Sequence, residues 1–298
     1  MISLDLAAPV RLRAPAKLNL GLEVLGRRPD GYHEVLTILQ TVSLFDVIDL
    51  IPAPALAYTP PEGRPRDDDL LWRAVQLAER AFGVRLRAEL RLEKHIPIAA
   101  GLGGGSSDAG TLLGAIAALA GIAVEAAERA AARLGSDVPF FVRGGTALAS
   151  GTGTTLSPLP PLRDAWFVVV VPPLAIPAKT ATLYGALTPE HYSDGHATRQ
   201  QAQRLARGEP LDLALLRNAF TPTLARWEPV RQAMQALRDA GAPVVIPSGA
   251  GPAIFTVLPT EDAAAAVARR VPPACGRTLV CTAVEPDRPS PLADTHLP

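Results

Sequence analysis

The 298-residue chain carries 29 basic and 29 acidic side chains, so its formal charge is zero, and 48% of its residues are apolar. That balance excludes a disordered polymer and removes the bulk positive charge by which proteins hold nucleic acid or an anionic membrane surface. The length suits one large domain or two of ordinary size, with apolar material enough for a substantial core.

No run of about 18 apolar residues occurs, so no transmembrane helix is expected. Met1-Ile2-Ser3-Leu4-Asp5 lacks the basic-then-apolar layout of a signal peptide, which leads to the expectation of a cytoplasmic protein. Cys275 and Cys281 match neither a metal-binding nor a redox spacing and read as free thiols in a reducing compartment. The cations are almost all arginine: Lys17, Lys94 and Lys179 are the only lysines. That rarity marks the lysines as positions where a compact ammonium is wanted.

In chain order, Val10 to Arg13 reads as a short strand. Leu18, Leu20, Leu22 and Val24 then alternate with Lys17, Asn19, Gly21 and Glu23, a strand with one polar face shared by Lys17 and Asn19. Asp30-Gly31 is a hairpin signal, with Tyr32 and His33 at its exit and strands over Val35 to Val42 and Val47 to Ile51 beyond. Pro52 to Arg66 is a proline-rich loop without a period. Asp67-Asp68-Asp69 precedes a helix over Leu70 to Phe82. Carboxylates suit a helix's first turn, which explains them better than a metal cluster. Gly83 ends that helix, and Val84 to Leu92 alternates cleanly as a half-exposed strand.

Pro97-Ile98-Ala99-Ala100-Gly101-Leu102-Gly103-Gly104-Gly105-Ser106-Ser107 follows, feeding a helical run over Ala109 to Ala120. Glycines this dense suit a backbone that turns through positive φ or lets a ligand come close. A helix start supplies free N–H groups and a positive dipole end, so the place fits a phosphate, with Ser106, Ser107 or Asp108 as candidate N-caps. The pattern is neither GxGxxG nor a P-loop, since serine takes the last glycine position and no Gly-Lys-Ser/Thr follows.

A second helix is expected over Val124 to Leu134. Asp137 then sits in a turn beside Pro139, Phe140 and Phe141, either capping the turn or presenting a carboxylate. Strand Gly144 to Ala149, the turn Gly151-Thr152-Gly153 and a proline-rich stretch lead to a boundary near 155 to 163, which divides the chain into 1–160 and 161–285. The second part is expected to hold strands near 167–171, 244–246, 253–258 and 278–284. Its helices are expected near 179–187, 198–207, 211–220, 224–240 and 261–271. Ser248-Gly249-Ala250-Gly251-Pro252 is a further glycine turn. Residues 286–298 read as a disordered tail.

Ala14 to Leu20, the glycine loop and Ser248 to Pro252 together resemble the three motifs of the galactokinase, homoserine kinase, mevalonate kinase and phosphomevalonate kinase (GHMP) superfamily. Gly26-Arg-Arg-Pro-Asp-Gly-Tyr-His33, Gly101 to Asp108 and Leu134-Gly-Ser-Asp-Val-Pro-Phe-Phe141 are similar to the branch whose members phosphorylate 4-diphosphocytidyl-2-C-methyl-D-erythritol on the route to isopentenyl and dimethylallyl diphosphate. The resemblance spans about Leu12 to Val284. It implies an α/β (α+β) fold of two domains, the first like domain 2 of ribosomal protein S5 and the second ferredoxin-like.

It implies phosphoryl transfer from ATP, with Mg2+, to the 2-hydroxyl of that alcohol. Lys17 and Asp137 fall on the catalytic pair, and Pro97 to Ser107 on the ATP phosphate loop. Asn19, Tyr32, His33, Thr180 and Tyr184 fall on the substrate side, His33 reading the cytosine edge and Tyr184 its face. No dedicated metal ligand is implied, except that the Ser107 hydroxyl, or that of Ser106, can turn toward magnesium. The implied partners are small-molecule substrates, with neither nucleic acid nor membrane, for a monomer or homodimer. Two departures stand out: Ala250 replaces a usual serine, and Thr154 a frequent acidic residue. Another GHMP-type kinase, or a non-catalytic S5-like binding module, is the competing expectation.

Overall fold

The computed structural model describes residues 1–61, 65–285 and 290–291. A short strand, β1 (Ile2–Asp5), precedes two long ones, β2 (Val10–Arg27) and β3 (His33–Pro52), which pair antiparallel through the Asp30-Gly31 hairpin. The sequence suggested two strands in place of each. The pieces join because the interruptions are absorbed as register shifts, between Pro15 and Ala16, Asn19 and Gly21, and Val24 and Gly26. A bulge accommodates a proline that has no N–H to give the ladder.

Next come β4 (Ala57–Tyr58), α1 (Leu70–Phe82), β5 (Val84–Glu93), α2 (Gly104–Leu119), α3 (Val124–Ala131) and α4 (Val138–Arg143). The hairpin β6 (Thr146–Gly151) and β7 (Thr155–Leu159) completes this part. β3 pairs with β6 along its first half and with β5 along its second, and β1 and β4 add parallel to β5. Ser290 and Pro291 pair with the start of β2. The rest of the expected tail over 286–298 lies outside the described residues.

Asp69 caps α1, its carboxylate accepting from the Leu71 and Trp72 amides at 2.9 and 3.2 Å. Leu71, Ala74, Val75 and Ala78 of α1 meet Leu112, Leu113 and Ile116 of α2 over the sheet. The two helices thus bury one apolar face each, the arrangement expected of amphipathic helices on a half-buried sheet.

The second part contains β8 (Trp166–Val171), α5 (Lys179–Gly185), α6 (His196–Ala206), α7 (Thr221–Leu224), α8 (Glu228–Asp239), β9 (Ile246–Pro247), β10 (Ile254–Leu258), α9 (Glu261–Arg270) and β11 (Arg277–Thr282). Its antiparallel sheet runs β11-β8-β10-β9. With a helical crossover after β8 and another after β10, this is the ferredoxin-like arrangement. The helix expected over 211–220 is absent. A single 3-10 turn, Leu213–Leu215, stands there, and the chain beyond it is tied to β2: Leu22 N–H donates to the Arg217 carbonyl at 2.8 Å, and Ala219 N–H to the Leu22 carbonyl at 2.9 Å. Backbone pairing with β2 outweighs local helical propensity. The helix expected over 224–240 is α8, which starts only at Glu228 with Pro229 in its first turn and follows the separate short helix α7.

One core cluster spans both parts. Ala16, Leu18 and Leu20 of β2 pack with Ile96, Ala100 and Leu102 of the glycine segment and with Phe167, Val169 and Phe255 of the second sheet. Among the described residues, no helix is long and apolar enough to cross a membrane.

Candidate functional site

The polar face of β2 is buried. Lys17 is only 4% exposed, and its Nζ donates to Asn19 Oδ1 at 2.5 Å. Asn19 Nδ2 donates to Thr37 Oγ1 at 2.8 Å, and Thr37 Oγ1 donates to the Gly21 carbonyl at 2.5 Å. This chain of bonds fixes the asparagine with its oxygen toward the lysine. Asp137 Oδ2 lies 3.8 Å from Lys17 Nζ. Burial pulls the Lys17 pKa down, and the Asp137 charge opposes that.

Asp137 precedes α4 but bonds none of its amides, so it is a presented carboxylate rather than a cap. Its place follows from glycines in α2. A Cβ on Gly110 would lie 2.6 Å from Phe141 Cβ and from the Val138 carbonyl oxygen, and one on Gly114 would lie 2.9 Å from the Val142 carbonyl oxygen. Two hydrogens thus let α4 seat directly on α2.

The glycine segment turns at Ala99, Gly101 and Gly103, with φ of 57°, 91° and 77°. Gly103, not Ser106, Ser107 or Asp108, is the N-cap of α2, so the helix begins inside the glycine run. The second glycine turn lies against it. A Cβ on Gly101 would be 2.3 Å from the Ser248 carbonyl oxygen, and one on Gly251 would be 2.1 Å from that of Ala100. Ser248 Oγ donates to the Gly101 carbonyl at 3.1 Å, and Ala253 N–H to the Ala100 carbonyl at 3.0 Å. Asn218 Nδ2 in turn holds the Pro247 and Gly249 carbonyls at 3.0 and 2.9 Å.

These elements enclose a cavity of about 340 Å³ lined by Lys17, Asn19, Asp137, Thr180, Tyr184 and the segment from Pro97 to Ser106, Leu102 excepted. Leu102 is 1% exposed and packs in the shared core. Ser107 is also off the cavity: it is fully buried, and its Oγ donates to the Pro15 carbonyl at 2.6 Å. That bond and its burial keep the hydroxyl from a ligand, which corrects the expectation of a magnesium contact there and leaves Ser106 on the cavity wall.

A second cavity, of about 1090 Å³, is contiguous with the first through Ser136, Thr152, Thr180 and Tyr184, and is lined also by Tyr32 and His33. The His33 ring lies 5.1 Å from that of Tyr184 and 6.1 Å from that of Tyr192, and Tyr184 packs edge-on against Phe220 at 4.8 Å. Tyr184 therefore belongs both to the core edge and to the cavity wall. Burial, then the Arg27 charge, lowers the His33 pKa, which favours neutral imidazole. Burial raises the Tyr184 phenol to about 12. Tyr32 is 67% exposed, at the outer rim.

Some residues of the site carried no clear signal in the sequence. Beneath the loop, Lys94 bonds Asp46 and, at 2.5 Å, Asp108. Asp46 also accepts from the His95 and Ile96 amides at 2.6 and 2.8 Å, bracing the start of the glycine segment. Burial raises the Asp108 pKa to about 7 against the pull of Lys94, with Asp46 adding to the rise. Asp46 sits in an apolar strand run that gave no hint of this. The scarcity of lysine did: Lys17, Lys94 and Lys179 all line the smaller cavity and, among the described residues, no arginine does.

The site is thus a cleft between two sheets, with a glycine-lined anion cradle, lysine ammonium groups of which that of Lys17 is buried, the presented Asp137 carboxylate and an aromatic extension. The GHMP kinases N terminal domain model matches residues 69–145, and the GHMP kinases C terminal model residues 210–277. A 4-diphosphocytidyl-2-C-methyl-D-erythritol kinase of Pelotomaculum thermopropionicum is 38% identical over 265 residues, covering 86% of this chain and 92% of the relative. One of Dehalococcoides mccartyi is 39% identical over 259 residues, covering 85% and 90%. A crystal structure of a 4-(cytidine 5'-diphospho)-2C-methyl-D-erythritol kinase matches with a TM-score of 0.74 at 37% identity, covering 92% of this chain and 98% of that one. A homoserine kinase from Cytophaga hutchinsonii gives 0.72 at 18% identity, covering 96% and 98%, a likeness of fold. By sequence and fold together, this chain belongs to the 4-diphosphocytidyl-2-C-methyl-D-erythritol kinase family of the GHMP kinases.

Proposed function

We propose that this chain transfers the γ-phosphoryl group of ATP to the 2-hydroxyl of 4-diphosphocytidyl-2-C-methyl-D-erythritol. The observation that carries this reading is the Asp137 carboxylate standing 3.8 Å from the buried Lys17 ammonium at the edge of the glycine cradle. The acceptor oxygen attacks the γ-phosphorus while the bond to the β-phosphate oxygen breaks, and ADP leaves with that electron pair. Asp137 takes the hydroxyl proton. Lys17 stabilises charge developing on the attacking oxygen. Asn19 orients the lysine and reaches the acceptor's hydroxyl groups.

The amides of Gly103 to Ser106, at the N-terminus of α2, cradle the triphosphate. The cytidine extends into the larger cavity along the paired Tyr184 and His33 rings, with Tyr32 at the rim and Thr180 at the junction. Neutral His33 can both donate to and accept from a base edge. The lining fits a magnesium ion held mainly by the nucleotide, with the Ser106 hydroxyl as the protein group that would reach it. When bound, it neutralises phosphate charge. Among the described residues, no group of three or more His, Cys, Asp or Glu is placed to hold a metal by itself.

The test is ADP release by the purified protein against a panel of alcohols: the diphosphocytidyl alcohol, homoserine, mevalonate and galactose. Release with the first alone is expected. Equal or faster release with another acceptor would assign the cleft to a different GHMP reaction.

A further inference from the structure

Lys179 is the first residue of α5, the helix that also carries Thr180 and Tyr184. It reaches the smaller cavity from the second sheet's side, whereas Lys17, Asp137 and the glycine segment come from the first. Among the described residues its ammonium has no hydrogen-bond or ion-pair partner. The charged groups that face it are Lys17, which repels it, and Asp137, which attracts it. Tyr184, one turn along the helix, stays neutral below about pH 12. Ala178, just before it, is held at φ 42°, an arrangement that costs strain in a residue with a Cβ. Lys17, Lys179 and the single carboxylate of Asp137 thus line one small cavity, leaving uncompensated positive charge. An oxyanion between them completes the balance.

Resting on the kinase reading, we propose that Lys179 is a catalytic residue that contacts the phosphoryl group in transit, opposite Lys17. The phosphoryl passes between the cradle and the Asp137-bound hydroxyl, and Lys179 lines that same small cavity. The aromatic extension, where the cytidine diphosphate lies, begins further along α5. Charge spreads over the equatorial oxygens during transfer, and a cation placed there acts on the transition state. Burial, with repulsion by Lys17, lowers the free Lys179 pKa to about 8. An arriving phosphate favours the charged form, so ligand binding at pH 8.5 draws a proton onto this side chain, up to about three-quarters of one.

The experiment compares Lys179→Met and Lys179→Arg with the parent protein, using ATP and the diphosphocytidyl alcohol. Expected for Lys179→Met is a fall in kcat of about 10²-fold with both KM values within about threefold, Lys179→Arg recovering part of the loss. Calorimetric titration with a non-hydrolysable ATP analogue plus the alcohol, in two buffers of different ionisation enthalpy at pH 8.5, should show proton uptake in the parent and none in Lys179→Met. Normal kcat in Lys179→Met overturns the proposal, as does unchanged proton uptake. A rise confined to the KM of the alcohol also overturns it, since that places Lys179 on the acceptor's diphosphate. A parent protein that does not turn over this alcohol contradicts the kinase reading itself, an outcome separate from these.

Discussion

Lys17 is held by three successive hydrogen bonds, and each link has a sequence origin. Alternation along β2 puts Lys17 and Asn19 on one face, and pairing with β3 brings Thr37 to the asparagine. The first relation was readable from spacing of two. The second needed a strand register that bulges had shifted, so Thr37 went unnoticed. Asp137 was ambiguous in sequence, because a turn aspartate caps as often as it reacts, and the missing bond to any α4 amide decides in favour of the presented carboxylate. For Asp137→Asn we expect kcat to fall by about 10³-fold while ATP affinity, measured by direct titration, stays within about threefold. An amide keeps the shape but cannot accept the proton, so near-normal turnover would remove the carboxylate from the chemistry.

Helices with a strong apolar period and punctuating residues were legible: α1 between Asp69 and Gly83, and α9 after Thr260, lie within a residue or so of where the pattern put them. What failed was local preference against a long-range partner. Residues 211–220 favour a helix in isolation but are drawn out along Leu22 of β2. The glycine segment was legible as an anion loop, yet not as a joint, since only the structure shows Gly101 and Gly251 in backbone contact. The same holds for Gly110, whose absent side chain seats α4. In Gly110→Ala the new methyl must displace α4 by contact with Phe141 and the Val138 carbonyl. Expected are a loss of stability of about 2–3 kcal/mol, read by urea unfolding, and a fall in kcat of about tenfold as Asp137 shifts. An unchanged kcat at the lowered stability would show that α4 does not set the position of the carboxylate.

At the scale of the molecule, the two sheets share a core through Ala16, Leu18, Leu20, Ala100 and Phe255, and the cleft opens where that core stops. The first sheet's side supplies the cradle, Lys17 and Asp137. The second supplies α5 and the turn over 248–252 that backs the cradle. Zero net charge had argued against bulk electrostatic binding, and it is consistent with a site whose cations are few and concentrated. The three lysines meet in one cavity while the arginines serve the surface, with Arg11 on Asp49 and Arg143 on Glu128 as examples. Sequence spacing alone could not bring Lys17, Lys94 and Lys179 together, because that meeting is a property of how the two sheets pack.

The most direct measurement is the proton-coupled phosphorus NMR spectrum of the product formed from ATP and 4-diphosphocytidyl-2-C-methyl-D-erythritol. The 2-hydroxyl sits on a carbon bearing a methyl group and no hydrogen. Transfer to it gives a new phosphomonoester resonance without three-bond coupling to a proton, formed in step with ADP. A new phosphomonoester split by neighbouring C–H protons would put the phosphoryl group on another hydroxyl. ADP formed with no new phosphomonoester would mean transfer to water, and either result would contradict the assignment of the cleft.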